Sequence, residues 1–189
     1  MKRFISIDID GILSDYPACW IAYVNLELRT KYSSREEIKF NIGENAYNEL
    51  KSRYRKSEYK ENIPVNIRFV ELIRKIKENG FKIIIFTSRP INDNNYPELF
   101  SLTKRWLDKN NVFYDRITYK SSDHDILVDS SEILFHIEDE LHYAELIANK
   151  GVTVFLLRNK WIEKIALKNN NIILFNHADD VERYLFDNT

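Results

Sequence analysis

The sequence contains one cysteine, Cys19, and no long apolar run. A single cysteine excludes a disulfide within the chain and favours a reducing compartment. No apolar stretch approaches the roughly 20 residues that a membrane-spanning helix requires, so we expect no membrane partner. The first apolar segment begins within a few residues of the N-terminus and leaves no room for a secretory signal. These absences together predict a cytoplasmic protein.

The sequence also lacks an excess of either charge, with 28 lysines and arginines against 29 acidic residues. A surface without basic bias argues against a nucleic-acid polymer as the partner. It does not argue against a small phosphorylated metabolite, because the charge within a site is independent of the net charge. The length of 189 residues is enough for one domain with a substantial core and a modest insertion.

Apolar segments and amphipathic segments alternate along most of the chain. This rhythm is typical of an α/β fold with a doubly wound parallel sheet, covered by helices on both faces. Strands are predicted at 3–9, 82–87, 115–119, 133–138, 152–157 and 172–175. Helices are predicted at 64–79, 97–110 and 139–149. We expect the first strand to lie in the centre of the sheet.

Residues 14–62 interrupt this alternation, because they contain no convincing strand. Two amphipathic helices are predicted there, at about 17–31 and 43–56. A connection of this length is too long for a simple crossover. We therefore predict a helical cap inserted after the first strand, with residues 1–13 and 63–189 forming the core domain. A cap in that position would exclude water and select the substrate.

Two acidic residues, Asp8 and Asp10, lie at the end of the first predicted strand and precede Gly11. Side chains two residues apart on an extended chain point to the same side, so both carboxylates should reach one cavity. They would repel each other without a cation or a shared proton between them. The pair suits a hard divalent metal, most plausibly Mg2+, with one carboxylate left to attack phosphorus. A turn or a helix cap is the alternative interpretation.

Polar side chains follow three further predicted strands. Thr87, Ser88 and Arg89 follow the second strand, Lys120 follows the third, and Glu138 and Asp139 end the fourth. Hydroxyl and backbone N–H groups before a helix can hold phosphate oxygens. A lysine can neutralise the phosphate, and the last two acids complete an all-oxygen metal site. Arg89 is either a surface residue or a contact to phosphate or substrate.

These residues resemble the motifs of the haloacid-dehalogenase-like hydrolase superfamily, most of whose members are Mg2+-dependent phosphatases. Asp8 and Asp10 match the first motif, Thr87 the second, and Glu138 with Asp139 the fourth. The resemblance implies that Asp8 is the nucleophile and forms an aspartyl-phosphate, and that Asp10 is the general acid and base. It also implies that Mg2+ binds Asp8, the backbone carbonyl of Asp10, and Asp139, with Glu138 holding a metal-bound water.

Within that superfamily, the chain most resembles the 5′(3′)-deoxyribonucleotidase-like branch and its bacterial relatives. The segments that carry this likeness are Thr87–Pro90, Trp106-Leu107, Tyr114-Asp115 and Ile137–Asp139. The likeness implies hydrolysis of a nucleoside monophosphate. A phosphatase for another phosphorylated metabolite is the enzymatic alternative, because nothing in the predicted cap dictates a nucleobase.

The chain departs from the superfamily pattern at two places. Ile12 stands where a threonine is usual, and His124 stands about fifteen residues before the fourth motif, where related nucleotidases have a lysine. Lys120 lies four residues earlier, and we favour it as the catalytic lysine, with His124 as the alternative cation at the phosphate. These departures keep a third hypothesis open, in which the protein is a catalytically degenerate phosphate-binding or regulatory protein.

Overall fold

A six-stranded parallel sheet forms the centre of the structure. The structure is a computed structural model, and it describes residues 4–89, 94–119, 130–159, 162 and 169–187. The strands lie in the order β3-β2-β1-β4-β5-β6, so the first strand is central, as predicted. They are β1 (Phe4–Ile7), β2 (Lys82–Thr87), β3 (Arg116–Tyr119), β4 (Ile133–Glu138), β5 (Thr153–Leu157) and β6 (Ile172–Phe175). Every predicted strand is present within two residues of its expected limits.

The described helices lie between several of the strands and after the last one. They are α1 (Ala18–Leu28), α2 (Arg35–Lys56), α3 (Ile67–Glu78), α4 (Leu99–Lys109), α5 (Leu141–Ala148) and α6 (Ala178–Phe186), with a 3-10 helix at Glu58–Glu61. Among the described residues, no helix has the length and apolar character needed to cross a membrane.

Both faces of the sheet are buried, which explains the continuous apolar runs in its strands. Ile83 and Ile85 of β2 contribute to one hydrophobic cluster, whereas Ile84 and Phe86 contribute to a second. Successive side chains of a strand point to opposite faces, so the two clusters lie on opposite sides of the sheet. This arrangement confirms the doubly wound α/β fold.

The helices between β1 and α3 differ in extent from the prediction. Helix α2 begins at Arg35 rather than near residue 43, because Ser34 caps it by accepting a hydrogen bond from the backbone N–H of Glu37 at 3.1 Å. The Glu37 carboxylate in turn accepts the backbone N–H of Ser33 at 2.7 Å. The predicted start coincides with a kink at Gly43, where φ is +79° and a side chain would be strained.

Helix α3 begins at Ile67, three residues after the predicted start at Pro64. The residues before it are tied to the loop after β1, since the backbone N–H of Asn66 donates to the carbonyl of Leu13 at 2.8 Å and that of Asp15 donates to Pro64 at 3.2 Å. These contacts hold the two ends of the helical segment side by side. They leave its helices beside the carboxyl end of β1.

Burial in the two clusters predicts where the fold is most sensitive to truncation. We expect Ile83→Ala, at a fully buried position of β2, to lower the free energy of unfolding by about 2–5 kcal/mol, because it leaves a cavity in a packed core. The matched substitution Ile67→Ala, at a side chain that is 57% exposed, should change it by less than about 0.5 kcal/mol. Urea denaturation followed by circular dichroism measures both. Equal losses in the two variants would contradict the assigned core.

Candidate active site

The strand order places the candidate site at the carboxyl edge of the sheet, between β1 and β4. The chain leaves β1 toward β2 on one side and leaves β4 toward β5 on the other. Connections that diverge in this way open a crevice beyond the strand ends, where α/β proteins bind ligands. Asp8 follows β1 and Glu138 ends β4, so the two residues lie on either side of that crevice. The backbone N–H of Asp8 donates to the carbonyl of Ile137 at 3.0 Å.

Three carboxylates meet in this crevice. Asp8, Glu138 and Asp139 each offer an oxygen that lies within 4.8 Å of the others. Asp8 is 2% exposed and Glu138 is fully buried. Two ionised carboxylates at that distance repel by roughly 3–4 kcal/mol at an effective dielectric constant of about 20. A bound cation would relieve the repulsion, and an all-carboxylate set suits a hard divalent ion such as Mg2+.

Gly11 allows Asp139 to reach this position. A Cβ at residue 11 would lie 2.0 Å from Oδ2 of Asp139, so the Asp139 carboxylate would have to move, and φ of Gly11 is +103°. Both the close approach and the backbone conformation therefore require glycine. The loop is held by further hydrogen bonds, from the N–H of Ser14 to the carbonyl of Ile9 at 2.8 Å and from the N–H of Gly11 to the carbonyl of Ser14 at 3.3 Å.

Glu138 is fixed by contacts on both of its oxygens. Oε1 accepts the backbone N–H groups of Asp139 and Glu140 at 3.1 and 3.2 Å. Oε2 lies 3.1 Å from Nε2 of His136, whose Nδ1 lies 2.8 Å from the hydroxyl of Ser6. His136 is fully buried in this network. The network orients Glu138 toward the acidic cluster.

Asp10 lies beside the cluster, and its side chain is engaged by cations. Its Oδ2 accepts from Nε of Arg89 at 2.9 Å, and its Oδ1 accepts from Nη2 of Arg89 at 2.5 Å and from Nζ of Lys60 at 3.0 Å. The Ser14 hydroxyl also donates to Oδ1 at 3.1 Å. Burial raises the pKa of Asp10, but the charges and hydrogen bonds of Arg89 and Lys60 outweigh burial and hold that pKa well below its usual range.

Lys60 is the partner of Asp10 that the sequence analysis did not predict, and Arg35, Lys51 and Arg55 of the same cavity were not predicted either. Lys60 belongs to the 3-10 helix, is only 5% exposed, and also lies over the ring of Tyr54, with Nζ 5.1 Å from the ring centroid. Burial and the neighbouring charge of Arg89 lower the pKa of Lys60 to about 8, although Asp10 opposes that shift. A lysine in a segment rich in charged residues carries no signal in the sequence that separates it from its solvated neighbours.

Thr87, Ser88 and Arg89, at the end of β2, make different contacts at the site. Thr87 is buried, and its hydroxyl accepts the backbone N–H of Arg89 at 3.1 Å. Ser88 lines the cavity beside Asp8 and Asp10. Arg89 is 5% exposed and is not a surface residue; besides Asp10, it contacts the Thr103 hydroxyl at 3.4 Å and lies over the ring of Trp106.

Two predicted residues, Lys120 and His124, lie outside the residues that the structure describes. Ile12, which replaces the usual threonine, is fully buried in the hydrophobic core. The position therefore contributes apolar packing in place of a hydroxyl.

A cavity of about 100 Å³ opens between the carboxyl edge of the sheet and the helices that precede α3. Its acidic lining residues are Asp8, Asp10 and Glu140. Its cationic lining residues, within the described part of the chain, are Arg35, Lys51, Arg55, Lys60 and Arg89. An acidic cluster that fits a metal thus adjoins a strongly cationic space, which suits an anionic ligand bound next to a cation.

Comparison with solved structures identifies the fold. The chain superimposes on a haloacid dehalogenase-like family hydrolase from Streptococcus pneumoniae with a TM-score of 0.67 and 13% identity, over 97% of this chain and 98% of that one. It has the haloacid-dehalogenase-like fold. A predicted phosphatase from Clostridium acetobutylicum is similar, with a TM-score of 0.66, 17% identity and 99% coverage of both chains.

A third haloacid-dehalogenase-like structure, a hydrolase from Deinococcus radiodurans with bound phosphate and sodium, has a TM-score of 0.65 at 12% identity, over 98% of this chain and 96% of that one. At these identities the likeness establishes the fold alone. No protein-family model matches the chain, and no curated protein matches it.

The approach of Gly11 to Asp139 predicts a specific effect on the candidate metal site. We expect Gly11→Ala to weaken Mn2+ binding by about tenfold or more, because the methyl group displaces the Asp139 carboxylate. Isothermal titration calorimetry with Mn2+ measures the affinity without any substrate.

Gly80→Ala is the matched control, since φ of Gly80 is +81° but nothing lies within 4 Å of its added methyl group. Both variants should lose about 1–2 kcal/mol of folding stability from the left-handed backbone, whereas only Gly11→Ala should lose Mn2+ affinity. Unchanged Mn2+ affinity in a folded Gly11→Ala protein would contradict the placement of the metal.

Proposed function

We propose that the protein is a Mg2+-dependent phosphatase that hydrolyses a small phosphomonoester through an aspartyl-phosphate on Asp8. The observation that carries this proposal is the meeting of Asp8, Glu138 and Asp139 within 4.8 Å, beside a cation-lined cavity at the carboxyl edge of the sheet. The phosphate bound by the Deinococcus radiodurans hydrolase of the same fold supports it.

Mg2+ would be held by Asp8 and Asp139 and by the backbone carbonyl of Asp10, with Glu138 as an outer contact. The ion supplies charge neutralisation for the phosphoryl group and for the carboxylate that approaches it. Gly11 admits Asp139 to the cluster, and the His136–Glu138 contact fixes the orientation of Glu138.

The reaction follows from the placement of two carboxylates. An oxygen of Asp8 attacks phosphorus, the bond from phosphorus to the leaving oxygen breaks, and Asp10 gives that oxygen a proton. Asp10 then takes a proton from a water molecule, whose oxygen attacks phosphorus and breaks the bond to Asp8. Phosphate and the free alcohol are the products, and both carboxyl groups return to their initial state.

The contacts of Asp10 set a condition on this mechanism. Arg89 and Lys60 hold Asp10 ionised, and an ionised carboxylate cannot donate a proton. We infer that the substrate takes over part of these contacts, so that Lys60 and Arg89 turn toward phosphoryl oxygens and Asp10 accepts a proton before it acts as an acid. Ser88 and the backbone after Thr87 face the same oxygens, and Lys120, or His124 in its place, adds a further cation.

The segment 14–62 acts as the cap in this proposal, between the two parts of a core domain formed by 1–13 and 63–189. Its helices carry Arg35, Lys51 and Arg55 to the cavity, and its 3-10 helix carries Lys60. A cap built in this way covers the phosphoryl group and excludes water from it. We place the activity in the cytoplasm, because the one cysteine, Cys19, is a buried free thiol.

A nucleoside monophosphate remains the substrate that the sequence favours within this proposal. Trp20 and Tyr54 line the cavity but are 0% and 2% exposed, and their ring centroids lie 5.2 Å apart in an edge-to-face contact. Their faces are covered by each other and by Tyr23, so they offer little room for a stacked base. Other phosphorylated metabolites are therefore candidate substrates as well as nucleotides.

The assigned nucleophile predicts the result of one substitution. Asp8→Asn should lower the release of phosphate from p-nitrophenyl phosphate by at least about 10³-fold, because an amide cannot attack phosphorus. Chelation of Mg2+ with EDTA should abolish turnover of the unaltered protein, and added Mg2+ should restore it.

Asp15→Asn is the control for that experiment, because Asp15 is an exposed acid seven residues further along the same loop. It should retain full activity. Full activity in Asp8→Asn would refute the nucleophile. No turnover of any phosphomonoester by the unaltered protein with Mg2+ would favour the catalytically degenerate phosphate-binding protein instead.

A further inference from the structure

Three cations on helix α2 face the cavity without a role in holding Asp10. They are Arg35, Lys51 and Arg55, and they line the same cavity as Asp8 and Ser88. Lys51 and Arg55 are four residues apart and therefore lie on one face of the helix. All three side chains are partly buried rather than fully exposed to solvent.

No carboxylate among the described residues forms an ion pair with these three side chains. The contrast with their neighbours is clear, since Lys60 and Arg89 pair with Asp10 in the same cavity. Arg53 of the same helix pairs with Glu27 at 3.4 Å, and Lys39 pairs with Glu44 at 3.1 Å. Lys39 and Arg53 of this helix are therefore paired with carboxylates, whereas the three cations that line the cavity are not, within the described part of the chain.

The three cations also disfavour one another. Burial lowers the pKa of Lys51, and the charges of Arg55 and Arg35 lower it further, although the charges of Asp10 and Glu140 oppose that shift. Like charges at positions i and i+4 of a helix are destabilising. A cavity that gathers such charges is unfavourable when empty and becomes favourable when an anion enters it.

Aromatic rings orient the three cations. The guanidinium of Arg35 lies 5.6 Å from the ring centroid of Tyr16, and that of Arg55 lies 5.2 Å from the ring centroid of Tyr96. Nζ of Lys51 lies 5.9 Å from the ring centroid of Tyr47. Contacts of this kind hold a cation by its attraction to the π face. The cations are therefore positioned at the cavity rather than dispersed in solvent.

We propose that the substrate carries a second anionic group, a phosphate or a carboxylate, which Arg35, Lys51 and Arg55 bind while the transferred phosphoryl group lies at Asp8. This inference rests on the proposed phosphatase function and specifies its substrate class. Lys60 and Arg89 serve the phosphoryl group and Asp10, so the three cations of α2 are left for a different part of the substrate. Trp20, which lines the same cavity, has a buried Nε1 with no hydrogen-bond partner among the described residues, and it offers a further donor.

Paired probes test this proposal in the full-length protein with Mg2+. 3-Phosphoglycerate carries a carboxylate where glycerol 3-phosphate carries a hydroxymethyl group. Adenosine 3′,5′-bisphosphate carries a second phosphate that adenosine 5′-monophosphate lacks. We expect kcat/KM for phosphate release to be at least tenfold higher for the doubly anionic member of at least one pair.

Substitutions on α2 assign that preference to the three cations. Lys51→Gln and Arg55→Gln should each lower kcat/KM for the preferred doubly anionic probe by about tenfold more than they lower kcat/KM for p-nitrophenyl phosphate. Lys51→Arg should retain the preference because it retains the charge. Arg53→Gln, the control, removes a cation two residues from Arg55 that faces Glu27, and it should leave both substrates unaffected.

A binding measurement separates this inference from the proposed function. The Asp8→Asn protein should not hydrolyse its substrate, so binding can be measured in it by calorimetry. The doubly anionic probe should bind at least tenfold more tightly than the singly anionic probe of the same pair. Adding Lys51→Gln or Arg55→Gln to this protein should remove most of that difference. This preference without any turnover in the unaltered protein would uphold the second anion site and overturn the phosphatase. Turnover without any preference, or equal losses for all substrates in the variants, would overturn the second anion site alone.

Discussion

The parallel pairing of β1 with β4 is the constraint on which the site depends. Ile7 lies beside Ile137 in that register, so the residues that follow the two strands emerge next to each other. Asp8 and the Glu138–Asp139 pair are thereby brought together, although Asp8 and Glu138 lie 130 positions apart in the sequence. The apolar burial of the strands opposes the repulsion of the carboxylates, and a divalent ion would remove that repulsion.

The loop after β1 distributes its two acids between different partners. Gly11 turns the chain so that Asp139 can approach, while Ser14, Lys60 and Arg89 draw the side chain of Asp10 away from the acidic cluster. Two carboxylates two residues apart therefore occupy different electrostatic environments. Asp8 lies with the acids that could hold a cation, and Asp10 pairs with Lys60 and Arg89, a separation that suits the nucleophile and the acid–base group of the proposed mechanism.

Much of the fold could be predicted from the sequence, because the strands are continuous apolar runs and the order of the elements is regular. The acids at the ends of β1 and β4 could be found for the same reason, since the topology brings them to one edge. The start of α2 could also have been found, because Ser34 and Glu37 form a capping pattern that the apolar periodicity concealed. The ion pair of Lys60 with Asp10 could not, because it joins residues 50 positions apart and depends on how the 3-10 helix folds back onto the sheet. Arg89 illustrates the same limit, since its position in the sequence does not reveal that its guanidinium holds Asp10.

The charged residues that line the cavity come from two parts of the structure, the edge of the sheet and the helical segment between β1 and α3. The sheet edge supplies the acids and Arg89, whereas the segment between β1 and α3 supplies Arg35, Lys51, Arg55 and Lys60. The contact between Lys60 and Asp10 ties that segment to the sheet edge. A substrate with two anionic groups would strengthen the tie, because one group would meet the cation-binding acids through the metal and the other would meet α2. A substrate with one anionic group would leave three like charges unneutralised, so the helical segment would close over it less favourably. In the proposed function, the selection of the substrate would thus depend on the same charges that join the helical segment to the sheet edge.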